Sequence, residues 1–301
     1  MNNSIQHSTL NSLSIGLRVI QKFYVNLYVH TSKFYGINQQ SILIMGMLTF
    51  LGTGTSQGIP VIACECEVCR SADAKDKRLR SSVLLQMDAM QLTIDAGPDF
   101  RQQMLRANVK RLDAVLLTHA HFDHIGGLDD VRSFNYLQKL PTPIYGNSQA
   151  ISGLQRTFDY AFRKTDYPGL PEFQLHTVNA AQPFLIRQQT IIPIEALHHK
   201  LPILGYRIGD LAYLTDVKTM TPKELLKIKG VNTLIINALK KENHFSHLRL
   251  SEALTIIRHV EPKQAFLTHI SHFMGLHEVI EPTLPANVRF AYDGLTVSFE
   301  G

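Results

Sequence analysis

Residues 118–127 read Thr-His-Ala-His-Phe-Asp-His-Ile-Gly-Gly, which places three imidazoles and one carboxylate within six positions. Nitrogen and carboxylate donors in this mixture suit zinc or a similar divalent ion. The apolar run 113–118 leads straight into them and reads as a buried strand. A loop leaving such a strand can turn His119 and His121 to one side and Asp123 with His124 to the other, which would serve two neighbouring ions. Two such ions can hold a bridging hydroxide and stabilise the leaving oxygen of a displacement. Asp95, His198, Asp216 and His269 stand at the ends of other predicted strands. Their presence argues against a surface loop that is His-rich by chance.

A second donor cluster, Cys64-Glu-Cys66-Glu-Val-Cys69, contains all three cysteines. Cysteines in C-x-C rarely pair with each other, because their Cβ vectors diverge on an extended chain. An odd, clustered set is no disulfide framework. It fits a metal role in a reducing compartment, so a cytoplasmic location is expected. Three thiolates leave one position of a tetrahedral site open. His272, three residues past His269, is the candidate fourth ligand, so one short segment would serve both sites. Upstream, residues 51–60 (Leu-Gly-Thr-Gly-Thr-Ser-Gln-Gly-Ile-Pro) carry glycines that would let backbone amides approach a phosphate. The segment lacks G-K-[ST] and is not a Walker A loop.

The elements that must position these residues are short. Strand patterns fall at 47–51, 83–87, 92–94, 113–118, 190–196, 205–208, 211–215 and 233–238. Helical patterns fall at 100–107, 128–138, 222–228 and 251–260. Strands with interleaved helices predict an α/β sandwich. Residues 153–175, with Phe158, Tyr160, Phe162, Tyr167, Pro168 and Pro171, read as a surface excursion or lid.

Across 301 residues the chain is 45% hydrophobic and 18% charged, which suits a soluble globular protein with a sizeable core. That length allows one large domain or two small ones. The net charge of +5 is unevenly placed. Residues 1–46 contain Arg18, Lys22 and Lys33 and no acid, so the body is close to neutral. A neutral body matches a long nucleic acid poorly, and no nucleic-acid partner is expected. No stretch reaches the roughly 18 apolar residues of a membrane span, and no membrane association is expected. Arg18 and Lys22 interrupt the apolar run that a secretory signal would need. Two readings of 1–46 stay open. It is an appended or disordered segment, including one from an upstream start codon, ahead of a hydrolase domain at 47–301. Alternatively, a helix around 12–29 packs on that domain.

H-x-H-x-D-H after an apolar strand resembles the metallo-β-lactamase superfamily, and the resemblance runs over residues 47–301. Ile94-Asp95-Ala-Gly97 is similar to its early strand-end aspartate, which supports the site. His198, in Ala-Leu-His-His-Lys-Leu-Pro, is similar to the third-ligand histidine. His199 competes with it, and His198 is favoured because it stands two residues before Lys200. Asp216 resembles the bridging aspartate and His269 the last histidine ligand. The resemblance implies a four-layer αββα sandwich with metals at one edge of the two sheets. One ion would take His119, His121 and His198. The other would take Asp123, His124 and His269, with Asp216 bridging. The implied cofactors are two catalytic divalent ions, Zn2+ or Mn2+, and one structural Zn2+.

GTGTSQGIP, C-x-C-x2-C and Thr-His-Ile-Ser-His together resemble the PhnP branch, whose members are phosphodiesterases with a structural zinc on three Cys and one His. That pattern falls on Cys64, Cys66, Cys69 and His272. His247, in Asn-His-Phe-Ser-His-Leu, is similar to a histidine that the branch uses near the scissile phosphate, where it could act as general acid beside Asp123. His244 reads as a surface or supporting residue. Asn237 stands where some members carry an acid, which counts against a cyclic substrate. The implied function is hydrolysis of a small phosphodiester, cyclic or not, by a two-metal-bound hydroxide, in a monomer or homodimer. The rivals are a tRNA 3′-processing nuclease, a glyoxalase II-type thioesterase or lactamase, and a non-hydrolytic member resembling PQQ-synthesis protein B. The neutral body, the cysteine cluster and the intact H-x-H-x-D-H set count against them in turn.

Overall fold

The structure, a computed structural model, describes residues 45–88, 90–164 and 166–301. The expectations for residues 1–44 lie outside the described residues. The first sheet is built from β1 (Met45–Gly52), β2 (Ser82–Met87), β3 (Met90–Ile94), β4 (Ala114–Leu116), β5 (Thr142–Gly146) and β6 (Phe173–Thr177). The second contains β7 (Phe184–Ile186), β8 (Gln189–His198), β9 (Leu201–Ile208), β10 (Leu211–Leu214), β11 (Thr233–Asn237), β12 (Gln264–Thr268) and β13 (Val288–Phe290). The last strand, β14 (Thr296–Glu300), returns to the first sheet beside β1. Strand orders are β14-β1-β2-β3-β4-β5-β6 and β13-β12-β11-β10-β9-β8-β7.

Alternation along the strands sorts side chains into layers. On β2, Val83, Leu85 and Met87 join the core between the sheets, while Leu84 faces outward into a helix-covered core. On β10, Leu211 and Tyr213 face inward, while Ala212 and Leu214 meet the helices of the other side. Strands β3–β6 run parallel, as do β10–β13. Parallel strands need cover on both faces, which is why β11 (Thr-Leu-Ile-Ile-Asn) is buried at every position.

Eight helices are described: α1 (Glu67–Arg70), α2 (Phe100–Arg106), α3 (Phe122–Ile125), α4 (Arg132–Gln138), α5 (Ser148–Thr157), α6 (Pro222–Ile228), α7 (Leu250–Val260) and α8 (His277–Ile280). Phe100, Ile125, Phe134 and Leu154 pack on the first sheet, and Ile228, Ala253, Ile257 and Val260 on the second. The result is the expected four-layer αββα sandwich. The hydroxyl of Tyr206 on β9 donates to the carbonyl of Leu117 at 2.6 Å, which ties the two sheets together just before the His-rich loop.

Two local readings are corrected. The helix expected over 128–138 opens as a 3-10 turn (Leu128–Val131) before α4. Residues 153–175, read as a surface excursion or lid, form an exposed stretch only over the described residues from 162 to 168; the range also contains the end of α5 and the start of β6, and Phe158 is 5% exposed within the core. Among the described residues, no helix is long and apolar enough to cross a membrane.

Candidate metal centre

The donors converge because several strands end at one edge of the sandwich. Asp95 directly follows β3, Asp216 lies two residues past β10, and His269 directly follows β12. All three have positive φ, at 63°, 61° and 54°. Non-glycine residues rarely adopt this backbone, and its cost is tolerated where packing enforces it, often at functional sites. Here the left-handed step turns each side chain off its strand into the centre. Between these strand ends, the loop from β4 into α3 delivers His119, His121, Asp123 and His124. Its close approach to the 95–97 turn needs glycine: a Cβ on Gly97 would lie 2.0 Å from the Asp123 carbonyl.

Ring atoms of His119, His121 and His198 lie within 4.8 Å of one another. His124 Nε2 is 3.2 Å from Asp123 Oδ2 and 3.3 Å from Asp216 Oδ2, and His269 Nε2 is 3.3 Å from Asp216 Oδ1. The two Asp216 oxygens thus face two different imidazoles, those of His124 and His269. His198, the last residue of β8, pairs with Leu201 across the hairpin, while exposed His199 occupies the turn at φ 56° and meets Phe245. The geometry therefore brings His198, not His199, to the cluster.

Surrounding groups fix which nitrogen of each histidine faces inward. Nδ1 of His119 lies 3.0 Å from Thr118 Oγ1, that of His198 is 2.9 Å from the Ser246 carbonyl, and that of His269 is 3.2 Å from Ser81 Oγ. His124 Nδ1 is 2.7 Å from Asp95 Oδ2, and Asp95 also accepts from the backbone and hydroxyl of Thr118. Such outer partners orient metal-binding imidazoles and raise their basicity. The inward Nε2 of His119 is buried with no hydrogen-bond partner, and that of His124 faces only the Asp123 and Asp216 carboxylates. Buried nitrogens are rarely left this way, and a divalent ion satisfies them.

Burial opposes charge on His124, but Asp123, Asp216 and Asp95 outweigh it and hold the imidazole well above its usual range. Burial likewise works to raise Asp216, yet His269 and His124 pull it well below a normal carboxylate. A cation among these atoms takes the place of the proton on His124.

The structure also gathers the second donor set. His272 Nδ1 lies 3.2 Å from Cys64 Sγ and 3.4 Å from both Cys66 Sγ and Cys69 Sγ. With Zn–S near 2.3 Å and Zn–N near 2.0 Å, tetrahedral ligands should be separated by about 3.5 Å. These four atoms fit a tetrahedral zinc.

His247 packs between His198 and His269, with ring centroids 4.5 and 4.9 Å away, and its Nδ1 lies 3.6 Å from Asp216 Oδ1. Burial foremost lowers its pKa to about 3, against the pull of Asp216, so the imidazole is neutral near pH 7. Its clustering with His198 and Asp216 also makes it a donor within reach of a metal. His244 is a supporting residue: its Nδ1 lies 3.2 Å from Ser246 Oγ, next to the Ser246 carbonyl that holds His198.

Asn237, which stands where some members of the PhnP branch carry an acid, has a structural part in the fold. It is fully buried at the end of β11. Its Oδ1 accepts from the Val217 N–H at 2.8 Å and its Nδ2 donates to the Val217 carbonyl at 3.1 Å. The amide clamps the peptide that follows Asp216. A carboxylate would leave the carbonyl without a donor. Only the buried position at a strand end, next to a left-handed aspartate, reveals this role.

A family model described as "Beta-lactamase superfamily domain" matches residues 91–270. The chain is similar to a solved structure described as a new diphosphatase from the PhnP family, at 37% identity and TM-score 0.81 over 86% of this chain and 99% of that one. It is 42% identical over 247 residues to an octanoyltransferase of Porphyromonas gingivalis, covering 81% of this chain but 50% of that relative. The chain thus spans about half the length of that protein. It is also 30% identical over 167 residues to a ribonuclease Z of Acaryochloris marina, covering 54% of this chain and 47% of that relative.

Proposed function

This chain belongs to the metallo-β-lactamase superfamily of hydrolases, in its PhnP family, and from that premise we propose that it hydrolyses a small phosphodiester. His247 is the observation that carries this reading, because it supplies a neutral N–H donor beside the bridging carboxylate. A thioester, whose thiolate is a good leaving group, has less need of such a donor. The PhnP-family diphosphatase, similar along nearly its whole length, supports the same choice.

One ion would be held by His119, His121 and His198, the other by Asp123, His124 and His269, with Asp216 between them. When bound, two divalent ions supply an activated water at neutral pH and positive charge for the phosphate oxygens. Asp95 keeps His124 oriented, and the Ser246 carbonyl does the same for His198. His247 donates a hydrogen bond toward the leaving oxygen. Cys64, Cys66, Cys69 and His272 would hold a structural zinc outside the reaction. In this reading the hydrolase domain is residues 47–301 and its partner is the small phosphodiester itself.

The octanoyltransferase name supports a second reading, acyl transfer. All three cysteine thiols face His272, so no thiol nucleophile is left for that chemistry. Parallel assays on bis(p-nitrophenyl) phosphate, a five-membered cyclic phosphate, an octanoyl thioester and precursor tRNA decide between the readings. Turnover of the thioester with no hydrolysis of either phosphodiester overturns the proposal.

The structural zinc is tested apart from activity. A structural ion contributes its binding energy to folding. Cys66→Ser is expected to remove one zinc per chain by elemental analysis. The melting temperature should fall by several degrees, since about 1 kcal/mol moves a domain of this size by roughly 2–4 °C. Wild-type melting and wild-type zinc content together would refute this assignment.

A further inference from the structure

The glycine-rich loop after β1 offers the metal centre less backbone than its sequence promises. Gly54 N–H donates to the Leu79 carbonyl at 2.8 Å, Thr55 N–H to the Ile270 carbonyl at 3.1 Å, and Gly58 N–H to the Thr55 carbonyl at 2.8 Å. These amides are engaged within the fold and are not turned toward a phosphate. The chain at Gly54 bridges both Arg80 and Ile270, and a Cβ there would lie only 3.0 Å from the Arg78 carbonyl. The Arg80 guanidinium donates to the Ser56 carbonyl at 2.9 Å and to Asp99 at 3.0 Å. Half-buried Thr55 is therefore pinned from both sides. Its hydroxyl lies 3.2 Å from His269 Nε2, its one side-chain partner among the described residues.

A chain of hydrogen bonds gives that hydroxyl a direction. Ser81 Oγ donates to the Gly54 carbonyl at 2.9 Å, because a carbonyl has no proton to offer. The Ser81 lone pairs are left for His269 Nδ1, 3.2 Å away. Nδ1 then carries the ring proton and Nε2 a lone pair, the tautomer that a metal-binding imidazole needs. In metal-free protein the Thr55 proton goes to that lone pair. A cation held by His269 Nε2 takes the lone pair and displaces the proton. The hydroxyl keeps its place, because the backbone fixes it, and its proton needs a new acceptor at the edge of the centre.

We infer that Thr55 is a substrate-binding residue, whose hydroxyl donates to a non-bridging oxygen of the scissile phosphate once His269 Nε2 holds an ion. The inference rests on the phosphodiesterase reading and deepens it by coupling anion binding to metal loading. The hydroxyl that caps the imidazole in metal-free protein becomes the anion's donor in loaded protein. A donor already held in position costs no reorganisation when the anion arrives.

The probe is inorganic phosphate, titrated calorimetrically into zinc-loaded protein. Thr55→Val keeps the shape of the side chain and removes the hydroxyl, whereas Thr55→Ser keeps the hydroxyl. A hydrogen bond to a charged group is worth about 10–100-fold in affinity. Thr55→Val is expected to weaken phosphate binding by about tenfold or more, and Thr55→Ser to bind nearly as wild type. Zinc content should be the same in all three by elemental analysis. Nitrogen NMR of metal-free protein should show His269 protonated on Nδ1 in each. Wild-type phosphate affinity in Thr55→Val overturns the inference. So does an equal loss in Thr55→Ser, which assigns the effect to shape, and so does loss of zinc from Thr55→Val, which makes the hydroxyl a metal ligand. None of these readouts needs turnover. If neither diester is hydrolysed in the parallel assays, the functional reading has failed instead, and the phosphate titration still decides whether Thr55 donates to an anion.

Discussion

Asp216→Asn is expected to lower turnover of bis(p-nitrophenyl) phosphate by on the order of 10³-fold or more while the protein stays folded. The side chain keeps its shape but loses the charge and one oxygen. Asp216 is 2% exposed, with one oxygen 3.3 Å from His124 Nε2 and the other 3.3 Å from His269 Nε2. An amide nitrogen at either oxygen position cannot ligate a cation. In the proposed bridging role, the carboxylate and the ions it would join contribute several kcal/mol of charge stabilisation, and each 1.4 kcal/mol or so is a factor of ten in rate. The surroundings hold the side chain in place, since Thr215 Oγ1 donates to it at 2.7 Å and Asn237 clamps the next peptide. Elemental analysis should show loss of catalytic metal with the Cys–His zinc retained. Near-wild-type turnover at full metal content would remove Asp216 from the bridging position.

The second large effect is on His247. A general acid must carry a proton to give, yet burial holds this imidazole at a pKa of about 3. Near pH 7 it is neutral, so its contribution is an N–H hydrogen bond to the leaving oxygen rather than the transfer of an imidazolium proton. A donor aimed at developing negative charge is worth roughly 10²–10³ in rate. The effect should be large for an alkyl or ribosyl leaving group, whose alkoxide is unstable. It should be small for p-nitrophenolate, which is already stable as an anion. His247→Ala is therefore expected to slow an alkyl phosphodiester by about 10²–10³, a nitrophenyl one by far less, at unchanged metal content. His247→Gln, which keeps an N–H donor, should recover part of the loss. The His247-dependent part of the rate should stay flat between pH 6 and 9, because a group with a pKa near 3 does not titrate there. A drop in rate with rising pH that disappears in His247→Ala would restore the imidazolium mechanism. Loss of metal from His247→Ala would make it a ligand.

Much of the centre is legible without coordinates for a local reason. His119, His121, Asp123 and His124 fall within six consecutive residues running from a loop into α3, so covalent geometry alone keeps their donors close. The same holds for Cys64, Cys66 and Cys69. The apolar strands that lead into Asp95 and Asp216 are equally plain, because parallel strands buried on both faces read as continuous hydrophobic runs. β5 is the opposite case. Thr-Pro-Ile-Tyr-Gly is five residues long and carries proline and glycine, both poor strand formers, and only its pairing with β4 and β6 makes it a strand. Phe158 and Tyr160 look like a lid in sequence because proline and charge surround them. In the fold, Phe158 lies in the core and Tyr160 packs against it.

By itself, the sequence determined the donor types, their grouping into a His/Asp set and a thiolate set, and the apolar strands with interleaved helices of an α/β sandwich, while the four layers came from the family resemblance. The tertiary structure alone decided what depends on contacts between distant segments. Hairpin register put His198 into the centre and His199 into the turn. Sheet order brought Asn237 against Val217, where its amide clamps the backbone that follows Asp216. Burial among His198, His269 and Asp216 set the charge of His247. The contact of Gly153 with Ala120 carried Arg156 to the edge of the metal centre. Residue types and spacings encode conformation over a few positions, whereas register, desolvation and close approach between helix and loop arise only when the two sheets and their covering helices pack together.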